Sequence, residues 1–462
     1  MGLVRRRMSA VTHQPADEAT ATAWAALGGA PELAARVAYL GPAGGLPSGL
    51  PVRELARACV GVCSLAAAEL LAGRNGGPVS AVTIDEGAVA AAFVSEGHLL
   101  VDGHAEPGFA PLSGFWRTAD GWVRTHANYP HHRTRLLAAL GLPESAGKTE
   151  LAAELRRHRA EWVQETAYAA GALAVAVAPP QPASRAQLVE TVRATRHAPR
   201  TLPPDGLPAA GIRVLDLTRV IAGPVATRTL ALLGADVLRI DSPLLPESHI
   251  AHSDTGFGKR SACLDLADEK DSAVFEELLA TADVVVSGYR PGALDRYGLT
   301  PDGLFARRPG LVVAELSAWG WSGPWSGRRG FDSLVQAARG ISVVEAGPDG
   351  QPGVLPAQAL DHGTGYLLAA AVLRALTEQL TEGAGRHSRL SLSATADWLL
   401  HGLNTTLAPV DASPYDAAPY LTETPSAYGL LRHARTPVSY QGSPDDWAHP
   451  PTCWGTDAPA WA

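Results

Sequence analysis

The sequence predicts an α/β fold, a parallel sheet with helices packed on its faces, and three observations carry that prediction. Short apolar runs of β type, RVLDL, ADVLRI, ADVVVSGY and LVVAEL, alternate with helical stretches between residues 211 and 316. They are apolar throughout rather than every second residue, as strands covered on both faces are. Helix punctuation falls between the first two, with Pro224 where a helix opens and Gly234 where it closes. Strands alternating with helices in this way pair in parallel through right-handed crossovers.

Taken in order, residues 211–241 read as strand, turn, helix and strand. A helix from about Asp271 to Thr281 precedes the strand ADVVVSGY, a turn at Pro291-Gly292 follows it, and LVVAEL at 311–316 is the next strand. Upstream, residues 181–210 read as a link with a short helical middle and a proline-rich end. Downstream, LPAQALDHGTGYLLAAAVLRAL at 355–376 is a long alanine-rich helix with one acid, Asp361, standing before two glycines. An echo of it lies at 63–73, CSLAAAELLAG, where Leu65-Ala66-Ala67-Ala68 repeats Leu368-Ala369-Ala370-Ala371. That alignment sets Ala58 opposite Asp361, so the first copy keeps the helix and lacks the acid. Two alanine-rich helices also resemble each other by composition alone.

Composition bounds the function. The chain has 462 residues, enough for two or three domains, and a formal net charge of −8. That charge leaves no footprint for nucleic acid or for an anionic membrane surface. The longest apolar run, residues 167–180, is too short and broken to span a bilayer, and the basic start MGLVRRRMSAV lacks the apolar segment of a signal peptide. Four scattered cysteines suit reduced thiols, and a cytoplasmic location is the expectation. His126, His131 and His132 lie in HANYPHH with no acid or cysteine at ligand spacing, so no metal site is predicted. No G-x-S-x-G elbow is present, and the AGP turn is not a dinucleotide fingerprint. Cys59 and Cys63, one turn apart on an apolar face, read as core packing.

Asp361 has two readings from the residues alone. It is an N-cap, a role worth about 1 kcal/mol, or it is a nucleophile. A carboxylate attacks an acyl-CoA thioester carbonyl to give a mixed anhydride and a thiolate, and a helix start favours its ionised form. Gly363 and Gly365 would then admit the substrate closely and offer N–H donors.

Five segments in order resemble the class III coenzyme A transferases, the family that also contains the α-methylacyl-CoA racemases. They are GIRVLDLTRVIAGPVATRTLALLGADVLRID, GKRSACLDL at 258–266, ADVVVSGYRPGALDRYGL at 282–299, SAWGWSGPWSGRRGFDSLVQAARG at 317–340, and the Asp361 segment. The resemblance implies a Rossmann-like parallel sheet plus a smaller α+β domain, and transfer of CoA between an acyl-CoA and a carboxylic acid. CoA would be a cosubstrate with no permanently bound cofactor, and the protein a homodimer without nucleic-acid or membrane partners. It places Asp361 at the family's nucleophile. It assigns CoA binding to Ile221, Ala222, Lys259, Arg260, Tyr289, Arg290, Arg296, Trp319, Gly320 and Gly363, while Asp332 reads as structural. Some transferases have glutamine where Ile221 stands. The racemases carry histidine where this chain has Phe331, which disfavours the runner-up, an acyl-CoA racemase or isomerase; a non-catalytic CoA-binding relative is the third reading.

Segment order departs from the family. FAPLSGFWRTADGWVRTHANYPHH at 109–132 resembles its C-terminal half yet lies upstream. The implied division is 1–50, an N-terminal extension; 51–200, resembling the family's C-terminal half; 201–400, resembling its N-terminal half; and 401–462, a mostly irregular tail. The echo helix then suggests a contact with a partner subunit's Leu368–Leu376 helix.

Overall fold

Seven strands of one sheet gather the apolar runs. The computed structural model describes residues 16–41, 44–105, 108–184, 186–196, 198–404 and 415–462; the basic start MGLVRRRMSAV lies outside them. In chain order the strands are β1 (Glu190–Arg196), β2 (Arg213–Leu217), β3 (Asp236–Asp241), β4 (Lys259–Cys263), β5 (Val284–Ser287), β6 (Val312–Ser317) and β7 (Ala384–Ser391). Their order across the sheet is β4-β3-β2-β5-β6-β7-β1. All neighbours pair in parallel except β1, which runs antiparallel to β7. Strands β2, β3 and β4 step to one side and β5, β6 and β7 to the other, so the order reverses between β2 and β5. Open α/β sheets bind ligands in the crevice at such a reversal, beyond the carboxyl ends of the strands.

Strand β1 corrects the sequence reading, which gave the 181–210 link a helical middle. The stretch around Val189, Thr191 and Val192 has no helix punctuation of its own, and the free edge of β7 offers it a ladder, with His387 opposite Val192 and Arg389 opposite Glu190. The C-terminal stretch also differs from an irregular tail. Leu421–Ser426 and Gly429–Ala434 form a hairpin that pairs with Leu100–Val101.

Three helices hold the centre: α1 (Val52–Asn75), α2 (Ala222–Leu232) and α3 (Ala359–Glu382). The two alanine-rich helices, α1 and α3, each have 24 residues, and they pack against each other within this one chain. Leu55, Cys59, Cys63 and Ala66 share one buried cluster with Leu360, Leu367, Ala370 and the sheet residues Val214 and Val312. The echo helix is therefore covered by its counterpart in the same chain rather than left for a partner's. Helix α1 is long and apolar enough by composition to cross a membrane, yet 89% of its most apolar window lies inside the fold.

Residues 109–176 form a smaller unit, a three-stranded antiparallel sheet (Gly114–Arg117, Trp122–Thr125, Ala174–Ala176) with three helices. Leu112, Val123, Leu136, Leu151 and Val163 make its core. Leu173 and Val175 join Leu334 and Phe331, seating the unit beside the ends of β5 and β6. The last residues strap the outer edge of the sheet: Thr456 bridges Ala262 of β4, Asp457 exchanges hydrogen bonds with the Ser261 backbone, and Trp461 packs on the core beneath.

Candidate active site

The reversal between β2 and β5 opens a cleft of about 600 Å³. Its floor is the carboxyl ends of four strands, Leu217, Asp241, Gly288 just past β5, and Ser317, and its far wall is Tyr129, His131 and His132 of the small unit. The turn after β2 is strained: Val220 has φ +71°, a left-handed conformation that costs a β-branched residue dearly. A buried carboxylate holds it there. Glu247 accepts from the Val220 N–H at 3.2 Å while pairing with Arg219 and Arg239.

Asp361 is not among the residues that line this cleft; it is joined to it through Asp332, the sequence neighbour of the lining residue Phe331. It is the third residue of α3, whose N-cap is Gln358, so the N-cap reading does not hold. The helix start is capped from outside by Asp332, whose Oδ2 accepts from the Asp361 N–H at 2.9 Å. Gln336 holds the other Asp332 oxygen and accepts from the Leu355 N–H. Asp332 thus plays the structural part its sequence context suggested, next to Phe331 on the cleft wall. The Asp361 side chain accepts no hydrogen bond among the described residues, and the residue is 7% exposed. Burial, then the Asp332 carboxylate, then Glu96 raise its pKa well above the carboxylate range. Burial likewise pushes Asp332 up to about 6, against the hydrogen bonds from Asp361, Gln336 and Leu360. Like charges this close resist joint ionisation. Beside them His362, wholly buried, meets Glu96 at 3.0 Å.

The structure sorts the sequence-named residues into two groups. Tyr289, Arg290 and Arg296 line the cleft. The others do not. Ile221 and Ala222 open α2 and pack inward, and their predecessors Arg219 and Val220 take the wall instead. Lys259 is 1% exposed; its Nζ bonds Asp216, Thr227 and the Pro224 carbonyl, an internal ion pair out of a phosphate's reach. Burial lowers its pKa to about 8 despite the Asp216 charge. Arg260 turns to Asp236 and the Ala460 carbonyl, under the strap. Trp319 braces the wall from behind, its indole donating to the Arg329 carbonyl at 3.2 Å, and Gly320 closes that turn on Ser317. Gly363 faces α1: a Cβ there would meet Leu55 at 3.3 Å. Gly365 faces α2, where a Cβ would stand 2.5 Å from the Ala222 carbonyl oxygen. Both glycines serve helix packing rather than substrate approach.

Sequence reasoning missed Arg219, Val220, Arg329 and the small unit's contribution. HANYPHH was the available signal, read as the end of the 109–132 segment, with its histidines weighed as a metal cluster and not as a cleft wall. Its rings stack instead: His126 lies flat on Phe331, centroids 3.7 Å apart, and His131 meets His132 edge-on at 4.2 Å.

Comparisons with known proteins find similarity over the second half of the chain. Residues 209–412 match the family model for CoA-transferase family III. An acetyl-coenzyme A transferase, nodX, of Hypoxylon pulicicidum is 37% identical over 204 residues, which are 43% of this chain and 34% of that protein. The succinate–glutarate CoA-transferase of Agrobacterium fabrum is 29% identical, across 46% of this chain and 60% of its own length. A formyl-CoA:oxalate CoA-transferase of Streptomyces coelicolor is 34% identical, across 40% and 47%. The chain thus spans about half the length of such relatives, and less of nodX. Among solved structures, Rv3272 of Mycobacterium tuberculosis aligns at 33% identity with a TM-score of 0.40, over 45% of this chain and 58% of that one.

Proposed function

We propose that this chain, whose residues 209–412 carry the CoA-transferase family III pattern, moves coenzyme A between an acyl-CoA thioester and a carboxylic acid. The observation that carries the reading is Asp361: a buried carboxyl with no hydrogen-bond partner of its own among the described residues, fixed by its backbone N–H to Asp332, the sequence neighbour of the cleft-lining Phe331.

In this reading an Asp361 oxygen attacks the thioester carbonyl, the C–S bond breaks, and CoA leaves as a thiolate from a mixed aspartyl anhydride. The thiolate then attacks the aspartyl carbonyl, the donor acid departs as its carboxylate, and Asp361 holds CoA as a thioester. The acceptor carboxylate attacks that thioester, and the returning thiolate takes the acceptor's acyl group from the second anhydride. No net proton moves, so no neighbouring histidine has to act as acid or base. CoA is a cosubstrate here. Arg290 and Arg296 would face its phosphates as charge-assisted donors.

Asp361→Ala should keep the circular dichroism and melting cooperativity of the folded protein and lose transfer by at least about 10³-fold, as removal of a covalent nucleophile does. Hydroxylamine trapping should label Asp361 in the native chain only. Near-normal turnover in the folded variant would sink the assignment.

A further inference from the structure

We infer that His132 and Arg329 form an oxyanion subsite on the cleft wall contributed by the small unit and the 317–331 segment, and that it takes a second carboxylate on the acid being activated. The ligand's name rests on the transferase reading; the site itself does not.

The first observation is His132. It is 3% exposed, it lines the cleft, and neither ring nitrogen has a hydrogen-bond partner among the described residues. Buried polar atoms are seldom left so, and a ring orphaned on both sides in a cleft wall points to a ligand. Its ring packs between His131, at 4.2 Å, and Tyr129, at 5.6 Å, so its orientation is fixed.

The second observation is one-sided charge. Arg329 and Arg290 border the same cleft, and no ion pair engages either among the described residues. Of the nearby carboxylates, Asp241 and Glu247 pair with Arg239 and Glu165 with Arg328, while Asp265, also on the lining, accepts from the Ala267 N–H. Partial desolvation against the cleft wall, then Arg290 and Arg135, lower the pKa of Arg329, which an anion would relieve. Burial and the surrounding cations also keep His132 neutral, with a pKa near 3, so it offers one N–H donor. An unpaired guanidinium beside a fixed N–H donor matches an oxyanion. None of this lies in the transferase-matching segment alone, because residues 129–132 belong to the small unit.

A substrate carboxylate and a CoA phosphate share that chemistry, and the test separates them. Succinate and butanoate have equal carbon counts and differ in the second carboxylate. Calorimetric binding of each to the CoA-saturated full chain is measured, along with transfer to each from acetyl-CoA. Succinate should be preferred by at least about tenfold, equivalent to 1.4 kcal/mol, and the preference should collapse toward parity in His132→Phe and in Arg329→Gln. Equal binding of the two acids by the native protein overturns the inference. So does an unchanged preference in both variants with a raised KM for acetyl-CoA, which assigns the oxyanion to CoA. Arg329 is exposed, so its variant keeps the test open if His132→Phe does not fold. Succinate binding without transfer keeps the subsite and fails the transferase reading; transfer without succinate preference does the reverse.

Discussion

Asp361 and Asp332 set a cost that the fold carries for its site. An acid whose pKa is raised by folding keeps its proton over a range where the unfolded chain has already lost it. The native state then binds more protons than the unfolded state from about pH 4 upward, so stability falls as pH rises through that window. Asp361→Asn removes the burden. Scanning calorimetry should show its Tm converging with the native protein's near pH 4 and exceeding it by a few degrees at pH 8, while transfer is absent. Native kcat/KM should rise with pH above the ordinary carboxylate range, as Asp361 gives up the proton that burial and Asp332 hold on it. A variant less stable than the native chain at pH 8 would show that the carboxyl is held by contacts not seen here. Asp361 was legible in the sequence only through the order of motifs around it. Its partner stands 29 residues away, a contact no local pattern announces.

At the scale of elements, the strands that read well were those whose apolar runs are buried on both faces, β2, β3, β5 and β6. Strand β1 was misread because its ladder comes from β7, nearly two hundred residues on. The glycines of α3 were misread for a similar reason: what faces them is set by helices from two other parts of the chain. Their packing makes opposite forecasts for one substitution. Gly365→Ala should cost about 1–3 kcal/mol, because the Ala222 carbonyl on α2 is backbone and cannot yield. Gly363→Ala should be neutral or gain up to about 1 kcal/mol, since the end of the Leu55 side chain can shift. Urea midpoints measure both. An unchanged KM for acyl-CoA in Gly363→Ala would confirm its packing role, and a large rise would return it to the binding site.

The whole molecule joins parts that lie far apart in the sequence. Helix α1 closes over α3, and the small unit reaches the cleft, within one chain. Any homodimer therefore forms through a face other than the α1–α3 contact. That closure was half legible: the echo of the two helices was visible, and their pairing in cis was not, because sequence similarity carries no information about which copy meets which.

The strap on β4 has a consequence for the protein's life in concentrated solution. A sheet that ends in an uncovered strand offers its N–H and C=O row to any other extended chain. Here one end is occupied by residues 454–462 over β4. The other ends in β1, itself an edge strand, which carries the charges of Glu190 and Arg193 on either side of the exposed Val192. The β4 end thus depends on a short segment held by a few hydrogen bonds and one partly buried indole, Trp461. Removing residues 453–462 should leave the cleft side of β2 and β5 untouched but free the β4 row. The shortened protein should form fibrillar, thioflavin-binding aggregates at concentrations where the full chain stays clear, and clear solutions of both would mean that β4 is guarded by something other than its cover.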